Sequence, residues 1–70
     1  MASHDLSVLV AQLRREGFDA RSLGGVGITI WGEGGQGVYV PASEVGRIAD
    51  ALARRAFNEL PVRRPSGKAA

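Results

Sequence analysis

Residues 31 to 39 read Trp-Gly-Glu-Gly-Gly-Gln-Gly-Val-Tyr, with four glycines in the six-residue connection between two short β-prone runs. Glycine reaches positive φ without a Cβ penalty, so this segment reverses the chain where most sequences would be strained. It predicts a β-hairpin. Before it, Val26, Ile28 and Ile30 alternate with Gly27, Thr29 and Trp31; after it come Val38, Tyr39 and Val40, stopped by Pro41. Pro has no N–H to donate to a ladder, and period-2 alternation is the signature of a strand with one buried face. Keeping the valines with the isoleucines pairs Trp31 with Tyr39 and Ile30 with Val40, and leaves Glu33 to Gln36 at the tip. Residues 19 to 23 form a further, weaker strand that ends at Gly24-Gly25.

Helices flank this sheet in the sequence. Leu6, Leu9, Val10 and Leu13 recur at i, i+3, i+4 and i+7, which places them on one face of a helix over about 5 to 16. Ser3 or Asp5 can cap its start; Gly17 stands at the left-handed C′ position, and Phe18 is the apolar residue that folds back toward Leu13. A second helix is expected over about 43 to 59, with Ser43 as N-cap and Val45, Ile48, Ala49, Leu52 and Ala56 on its apolar face. The fold class is therefore α+β: a three-stranded antiparallel sheet with two helices on one face, in the order α-β-β-β-α.

The 70 residues make one domain, assigned to 1–60, and a chain of this length hides only about 60% of its unfolded surface. Its core supplies about 3–5 kcal/mol unless a disulfide, a metal or association adds to it. There is no cysteine, and the single His4 does not make a metal site, so self-association is the staple left. Residues 61–70 hold Arg63, Arg64 and Lys68 with no acid, while 1–60 has six arginines against seven acids. The high pI thus comes from a basic tail, expected to be disordered, and the body offers no electrostatic case for polyanions. The start has neither the basic region nor the apolar run of a signal peptide, and no apolar run approaches the roughly 20 residues of a membrane span. The expectation is a cytoplasmic protein. Eight arginines beside one lysine, with abundant Ala, Gly and Val, match the usage of a GC-rich bacterial or phage genome.

Gly32, Gly34 and Gly37 satisfy G-x-G-x-x-G, but a dinucleotide site needs that pattern to open a helix and here it leads into a strand. Gly-Glu-Gly-Gly-Gln-Gly-Val-Tyr also resembles the glycine-rich loop of protein kinases; the lysine, catalytic-loop aspartate and Asp-Phe-Gly motif of that family are missing from this chain. No nucleophile or acid stands at a spacing that would serve His4, and Glu44 and Asp50 sit three or four residues from Arg47 and Arg54, as on a solvated helix face. No cofactor, metal or catalytic residue is expected.

The order α-β-β-β-α over residues 5 to 59 resembles the double-stranded-RNA-binding fold, and Leu13-Arg-Arg-Glu-Gly17-Phe18 with Pro41 after the last strand is similar to HicA-type toxins, which are small ribonucleases. The resemblance implies the fold. The toxins' histidine after a Gly-Ser pair is replaced by Gly24-Gly25-Val26, and the lysine-rich start of helix 2 in the RNA-binding domains by Ser43-Glu44-Val45-Gly46-Arg47, so neither activity transfers residue by residue.

What is left is a surface. Parity puts Thr29, Trp31 and Tyr39 on the sheet face opposite the helices, and Phe57 and Leu60 widen the apolar arc of helix 2. These five are the expected partner-binding residues of a small non-enzymatic protein-interaction module that contacts itself, a host protein or both. The alternative is a nucleic-acid-binding domain of the double-stranded-RNA-binding type, using the pairs Arg14-Arg15, Arg54-Arg55 and Arg63-Arg64.

Overall fold

The computed structural model describes residues 5–65. It contains α1 (Leu6–Arg15), β1 (Asp19–Ser22), β2 (Gly27–Trp31), β3 (Gly37–Pro41) and α2 (Val45–Ala53), with single 3-10 turns at Glu33–Gly35, Ala42–Glu44 and Phe57–Glu59. The strands form one antiparallel sheet in the order β1-β2-β3, as expected, and both helices pack on one face of it.

Asp5 caps α1: the backbone N–H of Ser7 donates to its Oδ1 at 3.0 Å and the Ser7 hydroxyl donates to the same atom at 2.8 Å. These bonds hold the Asp5 carboxyl below its usual pKa. The alternative cap, Ser3, lies outside the described residues. At the other end Gly17 takes φ 98°, its N–H donates to Arg14, and the N–H of Phe18 reaches back to the Leu13 carbonyl at 3.0 Å. This is the Schellman geometry that the Leu-Arg-Arg-Glu-Gly-Phe sequence predicts.

The second helix departs from expectation at both ends. Pro41 leads into the 3-10 turn, the N–H of Val45 donates to Ala42, and Ser43 is absorbed in that turn instead of capping a helix. Eight residues later α2 stops at Ala53, in a second Schellman motif: Ala56 N–H donates to the Ala51 carbonyl at 2.8 Å and Arg55 N–H to Leu52 at 3.1 Å. The left-handed C′ position is filled by Arg55, φ 56°, where glycine is usual. The early stop turns the chain back, so that Phe57 stacks on Phe18 with centroids 6.5 Å apart and Leu60 enters the core.

That core joins Leu9, Val10 and Leu13 of α1 to Ala20, Ile28, Ile30 and Val40 of the sheet and Val45, Ile48 and Ala51 of α2. Leu13, Ile28 and Ile30 are sealed from solvent, each side chain contributing about 1.5–3 kcal/mol by burial. Val26, expected to alternate inward with the isoleucines, is 65% exposed instead, because β2 begins one residue later and Val26 belongs to the turn after Gly24-Gly25.

The chain past Leu60 is also part of this structure. Val62 packs against the core, the Arg63 carbonyl accepts the N–H of Glu33 at 3.0 Å, and Arg64 reaches Glu16. Val62, Arg63 and Arg64, expected in the tail, thus contact the folded body, and residues 66–70 of the expected tail lie outside the described ones. Among the described residues no helix is long and apolar enough to cross a membrane.

Candidate interaction surface

The hairpin keeps the predicted parity and shifts the predicted register. Trp31 lies opposite Gly37, Ile30 opposite Val38, Thr29 opposite Tyr39 and Ile28 opposite Val40, two residues from the expected pairing. The Trp31 ring explains the shift. A Cβ at position 37 would lie 2.5 Å from its indole Nε1, so the indole covers bare backbone that any other residue would fill. Tyr39 does the same one step along: its hydroxyl lies 2.8 Å from where a Cβ of Gly27 would stand, and donates to the Val26 carbonyl at 3.1 Å. Rings laid over strand glycines replace the missing side-chain contacts.

The tip is closed from the far end of the chain. A Cβ on Gly32 would collide with the Arg63 carbonyl and lie 2.8 Å from Val62 Cβ, so Val62 and Arg63 cross the hairpin directly over this residue. Gly32 and Gly37 of the pattern that imitates a phosphate-binding loop are thus used for tight backbone and ring contacts, while Gly34 and Gly35 supply the positive φ of the turn.

On the helix-free face, Asp19 and Arg21 of β1 stand beside Trp31 and Thr29 of β2, and Thr29 beside Tyr39 of β3. Thr29 and Trp31 are half-buried and Tyr39 is 45% exposed. The β1–β2 turn adds Leu23 and Val26, both exposed, with the Val26 carbonyl on the Tyr39 hydroxyl. Sequence reasoning missed these two; the signal available was the Gly24-Gly25 pair, which marks a turn and so takes its apolar neighbours out of the strand.

Phe57 and Leu60 do not join this face. Leu60 is 8% exposed, a core residue, and Phe57 is half-buried beneath the guanidinium groups of Arg55 and Arg64, 5.0 and 4.4 Å from its ring centre. Both belong to the helical layer, because the turn at Arg55 that ends α2 directs them inward.

Of the paired arginines, Arg14, Arg54, Arg55 and Arg64 are engaged through their side chains within the chain. Arg54 binds Asp50 at 2.8 Å and also Glu59, which holds the Glu59 carboxyl below its usual pKa. Arg55 and Arg64 both reach Glu16, each at 3.3 Å, and Arg47 pairs with Glu44 at 3.5 Å. Arg14 donates through Nε and Nη2 to the Ala20 carbonyl, at 3.1 and 2.8 Å. Among the described residues no group of three His, Cys, Asp or Glu is placed to hold a metal ion.

Comparison of the chain with protein-family models, curated proteins and solved structures finds no match.

Proposed function

We propose that this chain is a non-enzymatic protein-interaction module that binds its partner on the open face of the sheet, through Thr29, Trp31 and Tyr39 with Leu23 and Val26 at one end. The observation that carries this reading is the exposure of Tyr39, Val26 and Leu23 on and beside a sheet face that neither helix covers. Aromatic and aliphatic groups held on rigid strands present contact area at little entropic cost, and such residues dominate the energy of protein interfaces. Glu16, Glu44, Asp50 and Glu59 each sit in an ion pair with an arginine, which favours binding over chemistry.

A nucleic-acid reading ranks second because Arg54, Arg55 and Arg64 each face an acid of the same chain, so only part of the three arginine pairs is left for phosphates. The absence of cysteine and the arginine-rich composition fit a bacterial or phage accessory protein working in the cytoplasm.

The test is capture of partners from the source cell by the immobilised full chain beside Thr29→Lys, which charges the middle of the face and leaves both rings in place. Wild type is expected to retain a protein that the folded variant does not. The same proteins on both columns would overturn the reading.

A further inference from the structure

The two edges of the sheet are not alike. The Leu23 N–H donates to Gly27 and the Ala42 N–H to Val26, and these bonds fix which residues face which way along each ladder. On β1, Ala20 and Ser22 turn their N–H and C=O to the outer edge, where the Arg14 guanidinium occupies the Ala20 carbonyl. On β3, Val38 and Val40 bond inward to β2, so Gly37 and Tyr39 turn both backbone groups outward and Pro41 its carbonyl alone. Among the described residues nothing bonds to these outer groups.

Beside that edge runs a groove of about 250 Å³ between β3, the start of α2 and Pro61. Val38, Val40 and Ile48 line it, and Glu44, Arg47 and Glu59 stand on its rim. The groove is apolar at its floor and carries both signs of charge at its border.

We infer that the β3 edge pairs antiparallel with the β3 edge of a second copy, about a two-fold axis at Val38, to give a continuous six-stranded sheet. The hydrogen-bond inventory selects this register. With Val38 opposite Val38 of the second copy, each Gly37 faces Tyr39 of the other chain and the two exchange both N–H···O bonds. Every outward donor and acceptor of Gly37 and Tyr39 is then satisfied, and Pro41 lies beyond the pairing, where the donor it lacks is never required. Parity sets Val38 against Val38 of the other copy over the groove, and the two-fold sets the mixed rim of one molecule against the same rim of the other, where Arg47 finds acids across the axis. Its pairing with Glu44 is a solvated one, the arginine side chain being 85% exposed, so Arg47 can exchange that acid for one of the other copy.

This inference rests on the reading of the chain as an interaction module but uses a different surface from the open face. The test takes the full-length, uniformly labelled protein from micromolar to millimolar concentration, measuring mass by sedimentation equilibrium and amide exchange by NMR. The expected result is a concentration-dependent dimer in which the Gly37 and Tyr39 amides slow in step with dimer population. Arg47→Glu, which removes no packing, should weaken the dimer by about tenfold, less at high salt. A monomer throughout, a dimer whose Gly37 and Tyr39 amides exchange freely, or an unchanged dissociation constant for Arg47→Glu would each overturn it. Thr29→Lys separates the two surfaces: it should leave the dimer intact while abolishing partner capture, and loss of both together would place self-contact on the open face.

Discussion

Glu16 closes α1 and Arg55 lies just beyond α2, and their side chains meet at 3.3 Å, joining the C-terminal ends of the two helices. To make this contact Arg55 holds a left-handed conformation that costs an ordinary residue about 1–2 kcal/mol. The pair is exposed on the arginine side, so its attraction alone offsets little of that strain. The guanidinium also lies over the Phe57 ring and shields it.

Two substitutions at position 55 separate strain from contact. Arg55→Ala and Arg55→Gly both lose Glu16 and Phe57, but only alanine keeps a Cβ at positive φ. The glycine variant should be the more stable of the two by about 1 kcal/mol. Urea unfolding of the pair beside wild type reads this difference directly.

Gly32→Ala should dislodge Val62 and Arg63 from the hairpin, since the new methyl needs the space they occupy. A loss of about 1–3 kcal/mol is expected, from packing and from the Glu33–Arg63 bond. Limited trypsin digestion is the more specific measurement: cleavage after Arg63 should accelerate in the variant well before the rest of the chain is cut.

Gly37→Ala acts on the neighbouring contact. The added methyl pushes the Trp31 indole off the strand into water, so the emission of this single tryptophan should move to the red while the far-ultraviolet spectrum is preserved. Unchanged emission would show that the ring does not lie on that glycine.

Acid should weaken the α2 terminus in a defined direction. The Glu59 carboxyl is held below its usual pKa first by its hydrogen bond with Arg54, so its contribution is complete above the unfolded value. It is lost as pH falls through the depressed folded value, beneath the ordinary carboxylate range. Glu59→Gln should lower stability at neutral pH and show a smaller further decline between pH 5 and pH 3 than wild type, by thermal unfolding across that range.

The sheet and the first helix were legible because local chemistry and long-range packing agree there: Gly17-Phe18 dictates one helix end, and the alternation through Ile28 and Ile30 dictates the buried face. The end of α2 was not legible, because Arg55 takes a backbone conformation that its type disfavours, for contacts to Glu16 and Phe57 that are made only once the chain is folded. Register failed for a related reason. Parity cannot distinguish pairings two residues apart, and the choice between them is made by a ring covering Gly37. The residues after Pro61 read as a solvated basic tail because Val62 is a lone apolar residue, and its site exists only between the hairpin tip and the core. For the candidate surface, Thr29, Trp31 and Tyr39 followed from alternation, whereas Phe57 and Leu60 were misplaced along with the helix they were thought to extend.

The arginine on the Ala20 carbonyl has a consequence for how far this protein can grow. A sheet with two open edges admits a neighbour on each side and lengthens without limit, which is the route to fibrils. Arg14 takes one of the outward groups of β1, the Ala20 carbonyl, which makes that edge a poorer template for a further strand than β3, where Gly37 and Tyr39 keep donor and acceptor open.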